Sequence, residues 1–194
     1  MPASLPEFLH ELVNNSELQA TLLVALVALA GVLYLLRNRV RRWNSERKTR
    51  KIIQRLGARR IENIRLPDGT GGEVIIENLL LAPDALVIAG IKRFDGLIFG
   101  ARLTDQWTQV LGRRSYKFDN PDHYLQRQLN AIAQIVPDAP VTGWHLFTNA
   151  KFPRDKPDSV LLLGDLKTLP PRPRYADIPK QLRAAWKQVL EVVG

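Results

Sequence analysis

Cysteine is absent from the 194 residues, which removes disulfides, thiolate zinc sites and cysteine nucleophiles together. That absence fits a reducing compartment. Histidine is scarce: His10, His123 and His145 lie too far apart along the chain to suggest a metal cluster. No glycine-rich phosphate loop of the P-loop form occurs, and there is no internal repeat or low-complexity tract. Positive charge is missing from residues 1–36, which carry only Glu7, Glu11 and Glu17. Residues 37–60 then hold eleven Lys or Arg against Glu46 alone, and residues 61–194 hold 17 against 15 acids. The net charge of +9 and the pI near 10.2 therefore belong to one short segment. Composition alone does not make the chain a nucleic-acid binder.

What is present first is an apolar run. Leu18 to Leu36 contains nineteen residues without a charge, with Gln19 and Thr21 the plainly polar ones. At about 1.5 Å per residue a helix of that length reaches roughly 28 Å, close to the hydrocarbon thickness of a bilayer. Ala28-Leu29-Ala30 has the form of a signal-peptidase site, but a signal peptide calls for a basic leading region and this one is acidic. The run also continues past that site and stops against Arg37, Arg39, Arg41 and Arg42. These features predict a transmembrane helix over 18–36, a short tail over 1–17 on the outer side, and everything after Arg37 in the cytoplasm, because Lys and Arg are retained there. The expected location is the inner membrane, crossed once. The basic stretch 37–60 reads as a continuing helix and linker. Arg37, Arg39, Arg41, Arg42, Arg47, Lys48, Arg50 and Lys51 form a solvated flank suited to anionic lipid head groups, each worth about 1 kcal/mol near the surface. They are also the candidate contacts to nucleic acid.

Periodicity then predicts one α/β domain. A helix ends at Leu56 before Gly57. Strands follow over 59–66, 73–81 and 85–91, with Pro67-Asp68-Gly69 and Pro83-Asp84 as turns. Asp95-Gly96 reads as another turn into Leu97-Ile98-Phe99, closing an antiparallel meander. Asn120-Pro121 opens a helix to Val136, and strands over 141–147 and 160–163 come next. The domain is expected over 61–167, a proline-rich connector over 168–178, and a docking helix over 179–194 with Leu182, Trp186, Val189 and Val193 on one stripe. Trp107 and Trp144 could stack on bases, but aromatic residues on strands of a small domain are usually core.

The order of helix, meander, helix and strand matches the restriction-endonuclease-like core of the PD-(D/E)xK nucleases, with a central mixed sheet. Over residues 46–136 the sequence resembles the NERD family, the nuclease-related domains. Asn63-Ile64-Arg65-Leu66-Pro67 is similar to the family's first strand and turn. Gly96-Leu97-Ile98-Phe99-Gly100, Trp107-Thr108-Gln109-Val110, Lys117-Phe118, Asn120-Pro121 and Gln126 follow its later signature in order and near-identical spacing. A membrane span ahead of such a domain is a known arrangement in the family.

The resemblance implies a metal-dependent nuclease centre: an Ile-Asp-His triplet on the second strand and a Glu-x-Lys on the third. Its carboxylates would hold a divalent cation, usually magnesium, against the scissile phosphate, and the lysine would stabilise developing charge. This chain departs from that set. Ile76-Glu77-Asn78 stands at the first motif and Gly90-Ile91-Lys92 at the second. Glu77 keeps a charge on a longer arm, Gly90 has no side chain to ligate with, and Lys92 survives. The expected remnant site is Glu77 and Lys92, with Glu73 beside Glu77 as the acid that could complete a metal pair. Glu46, Asp84 and Asp95 are further acids that could stand in. The expectation is a catalytically degenerate nuclease-fold module for binding or scaffolding, without a cofactor and with a protein partner left open. The other reading is an active magnesium-dependent nuclease on DNA or RNA with a rearranged acidic site. A third is a tether that holds nucleic acid without cutting it.

Overall fold

The computed structural model describes residues 16–69, 71–168 and 171–193. The expected tail over 1–17 falls outside them except at its end, as do Leu169 and Pro170 of the connector. Contacts divide the chain into two units, residues 1–47 and 48–194. In the first unit, helix α1 (Ser16–Leu56) begins. Its stretch Gln19–Arg37 has a mean hydropathy of 2.2 and buries nothing, which by length and composition is enough to cross a membrane. A signal sequence shares that character. The helix does not break at the change from apolar to basic residues, as expected from the sequence.

The second unit is a mixed α/β domain around a seven-stranded sheet. Strands β1 (Arg59–Pro67), β2 (Glu73–Leu81), β3 (Leu86–Phe99), β4 (Gln106–Leu111) and β5 (Arg114–Asp119) are antiparallel neighbours in chain order. Helix α2 (Pro121–Ile135) then crosses to β6 (Val141–Lys151), which lies parallel to β3, and β7 (Val160–Leu162) lies parallel to β6. Helix α3 (Lys180–Val193) closes the chain.

Both faces of the sheet are covered, which explains the unbroken apolar run Leu79-Leu80-Leu81. On one face Ile76, Leu79, Leu81 and Ile88 pack under Leu125 and Ile132 of α2 and under Leu182, Trp186 and Val189 of α3. The stripe expected on the last helix is thus the one that docks. On the other face Leu80, Val87, Ala89 and Leu146 pack with Ile53, from the end of α1. A third, aromatic cluster joins Trp107, Phe147 and Ile98 to Phe94, Phe118 and Phe152. Trp107 is fully buried and its indole donates to Ala101 O at 3.1 Å, so it is core and offers no face to a base. Helix α2 starts as its sequence requires: Asn120 caps it by accepting from Asp122 N at 2.9 Å, with Pro121 in the first turn.

The turn expected at Asp95-Gly96 is not a turn. β3 runs straight through it to Phe99, with a bulge between Lys92 and Asp95. Gly96 has φ 83, and a Cβ there would collide with Val110 O, so glycine is needed to bend a strand rather than reverse it. The β4–β5 hairpin lies where periodicity predicts no strands. Its exposed, charged face hides the alternation of Trp107 and Phe118, which pair across it.

Candidate functional site

β6 follows β3 from Leu86 to Leu97 along one edge. β2 and β4 must therefore share the opposite edge, β2 at residues 86–88 and β4 at residues 97–99. Between them the sheet forks, and among the described residues no strand pairs with that edge of β3 from Ala89 to Gly96. Exposed hydrogen-bonding groups on a strand need partners, and here side chains supply them. Asn78 Nδ2 donates to Ala89 O at 2.9 Å, Glu77 Oε2 accepts from Ile91 N at 2.9 Å, and Gln109 Nε2 donates to Asp95 O at 2.8 Å.

The expected remnant residues meet at this fork. Glu77 is exposed on β2 but its carboxylate is tied to the Ile91 amide, the residue between Gly90 and Lys92. Asn78 is buried and also accepts from Arg60 Nε and Nη2, at 2.9 and 2.5 Å. Asn63 lies across β1 from Glu77, between the pairs Glu62–Asn78 and Ile64–Ile76, with φ 54. Asparagine is one of the few residues besides glycine that adopt this left-handed conformation readily, and here it interrupts the regular pairing of β1 with β2. Lys92 is half-buried, and its Cε comes within 3.9 Å of where a Gly90 Cβ would stand.

Glu73 begins β2, exposed on the same side as Glu77. Four residues of strand separate their α-carbons by about 13 Å, so the two carboxylates do not converge on a common ion. Asp84 and Asp95 are exposed at separate points of the sheet. The side chains of Glu46, Arg41, Arg42 and Lys48 lie outside the described residues. Arg37, Arg39, Arg47, Arg50 and Lys51 are exposed along α1, with the Arg47 guanidinium over the Trp43 ring at 3.3 Å. Lys51 also lines an open cavity of about 770 Å³ with Arg55 and Arg172.

Sequence reading missed a neighbour of the fork. His145 on β6 pairs with Gly90 and is 2% exposed. Its Nδ1 lies 3.1 Å from the position a Gly90 Cβ would take, and it has no hydrogen-bond partner. Its Nε2 faces Asp122 Oδ1 at 3.5 Å, an ion-pair distance rather than a formed hydrogen bond. Asp122 sits in the first turn of α2. Burial alone would raise its pKa, but the side chains of His145 and Ser159 and the charges of His145 and Arg102 hold it below the usual value. Histidine and aspartate stand twenty-three residues apart on a strand and a helix, and no local pattern links them.

A magnesium ion does not fit this arrangement. It requires several hard oxygen ligands, whereas position 90 supplies none and Glu77 is already engaged by a backbone amide. No group of three or more His, Asp or Glu side chains is placed to hold a metal among the described residues.

The profile of the nuclease-related domain, NERD, matches residues 41–148, more than half of the chain. The chain belongs to the NERD family. The match contains the whole fork, from Glu77 on β2 to His145 on β6. An uncharacterized protein of Bacillus anthracis is 24% identical over 76 residues, which cover 39% of this chain and 36% of that protein. The chain thus matches about a third of that relative's length. No solved structure matches.

Proposed function

We propose that this NERD protein is a membrane-tethered, catalytically degenerate nuclease-fold module that binds or scaffolds at the cytoplasmic face. The observation that carries the reading is Gly90. The strand position that should present a carboxylate presents a hydrogen atom, with a buried imidazole 3.1 Å from the place its Cβ would occupy. Tethering is supported by the exposed apolar stretch Gln19–Arg37 and by the basic residues that follow it in the sequence. The excess of Lys and Arg after the stretch argues for a cytoplasmic domain and an outer N-terminus. Anionic head groups and nucleic acid are the partners that this basic segment suits.

The test is to incubate the full chain in detergent micelles with plasmid, single-stranded DNA and RNA, with magnesium or manganese and with chelator. Intact nucleic acid under all conditions is the expected result. Metal-dependent cleavage that vanishes in Lys92→Ala would establish the alternative, an active nuclease with a rearranged acidic site. Protection of a C-terminal tag from protease added outside intact spheroplasts checks the orientation.

A further inference from the structure

We propose that the open cavity of about 770 Å³ between the last turns of α1, the exit of β7 and Arg172 is a binding site for a phosphomonoester carried on an apolar body. The inference is independent of the fork. It holds whether or not the domain cuts nucleic acid, and it needs no orientation of the chain in a membrane.

Charge is the first argument. Lys51 and Arg55 stand four residues apart on α1, and so on one face of the helix. The fold brings Arg172 from the proline-rich connector to the same cavity. Among the described residues that line it, none is acidic. Neither Lys51 nor Arg55 has an ion-pair partner among the described residues. Like charges at that spacing repel on a helix, and an anion between them removes the repulsion. Arg172 is fixed from behind: its Nε donates to Gly57 O at 3.3 Å and its Nη2 to Ala58 O at 3.1 Å. Carbonyls past a helix C-terminus repel an anion when left bare. Here the guanidinium covers them and keeps Nη1 uncommitted.

Shape and lining select the ligand. Three cations are answered best by a group with more than one negative charge, and a phosphomonoester carries about −1.5 to −2 at pH 7. Arginine matches phosphate oxygens with its fork of donors. The volume far exceeds what a phosphate ion needs and falls within the range of about 300–1,000 Å³ typical of small-molecule sites. Ile52 and Leu163, half-buried at the margin of the second core cluster, give the body an apolar wall. Gly164 leaves the cavity clear, since a Cβ there would meet nothing within 4 Å. Such a head group is common to soluble metabolites and to anionic lipids.

Calorimetric titration with butyl phosphate of the full chain, held in phosphatidylcholine nanodiscs, tests the proposal. One equivalent is expected to bind, about tenfold tighter than inorganic phosphate, as burial of about two methylene groups provides. Gly164→Glu sets a carboxylate at the cavity without a steric clash and should weaken binding at least about tenfold. Lys51→Gln combined with Arg55→Gln, both on exposed side chains, should do the same. Val192→Glu adds the same charge at an exposed position of α3 and should leave binding unchanged. Nanodiscs that also contain phosphatidic acid identify the source. Blocked butyl phosphate binding assigns the cavity to a lipid head group, and unchanged binding assigns it to a soluble ester. No binding to the unaltered chain, or binding no tighter than that of inorganic phosphate, would overturn the proposal. Loss in the Lys51 and Arg55 change without loss in Gly164→Glu would overturn it too, because the anion would then lie on the basic flank and not in the cavity.

Discussion

Two aspartates in this domain are shielded from solvent, and they are treated differently. Asp68, 3% exposed, is held by Arg127 Nη2 at 2.7 Å and accepts from Gly72 N at 2.9 Å. Its charge is answered, and it pins the turn before β2 to helix α2. Asp122 is 14% exposed and faces an imidazole at 3.5 Å, with both oxygens short of a formed hydrogen bond. The first carboxylate holds structure. The second is steadied by less direct contacts, the side chains of His145 and Ser159 and the charge of Arg102, and it lies beside the histidine that pairs with Gly90.

The sharpest way to break that contrast is to remove the answer to Asp68. Arg127→Met strands a buried carboxylate and should cost about 3 kcal/mol in urea unfolding, the low end for such a loss because Arg127 is half-exposed. Next comes Gly90→Glu, which places a carboxylate against His145 at the position where the resemblance expects one. With Nδ1 3.1 Å from the new Cβ, overpacking should cost about 2 kcal/mol, and the double change Gly90→Glu with His145→Ala should recover most of it. The smallest effect belongs to Asp122→Asn, expected to cost under about 1 kcal/mol at pH 7. Its pH dependence is the more telling measurement. A pKa held below the usual value in the folded chain gives stability that is present above about pH 4 and is lost as pH falls through the folded value. Asp122→Asn should therefore flatten the acid limb of the stability profile below about pH 4.

The scaffold is legible in the sequence where one physical rule dominates. Apolar density marks β2 and the first part of β3, the Asn120-Pro121 cap marks α2, and a single stripe marks α3. Asp95-Gly96 misleads, because a left-handed glycine serves a bulge as well as a turn and only the tertiary pairing with β6 chooses. β5 is illegible since five of its six residues are exposed, leaving Phe118 alone to report burial. The missing side chain at Gly90 is visible in the sequence, but its pairing with His145 is not. A lone histidine between Trp144 and Leu146 carries no sign that its ring is buried against an aspartate from the preceding helix.

Where β2 and β4 part company along β3, the sheet is stitched by three side chains instead of a ladder. Backbone pairing is indifferent to residue type, whereas stitches of this kind can be exchanged one at a time. The join between the two halves of the sheet therefore depends on the identities of residues 77, 78 and 109 in a way that the paired stretches on either side do not.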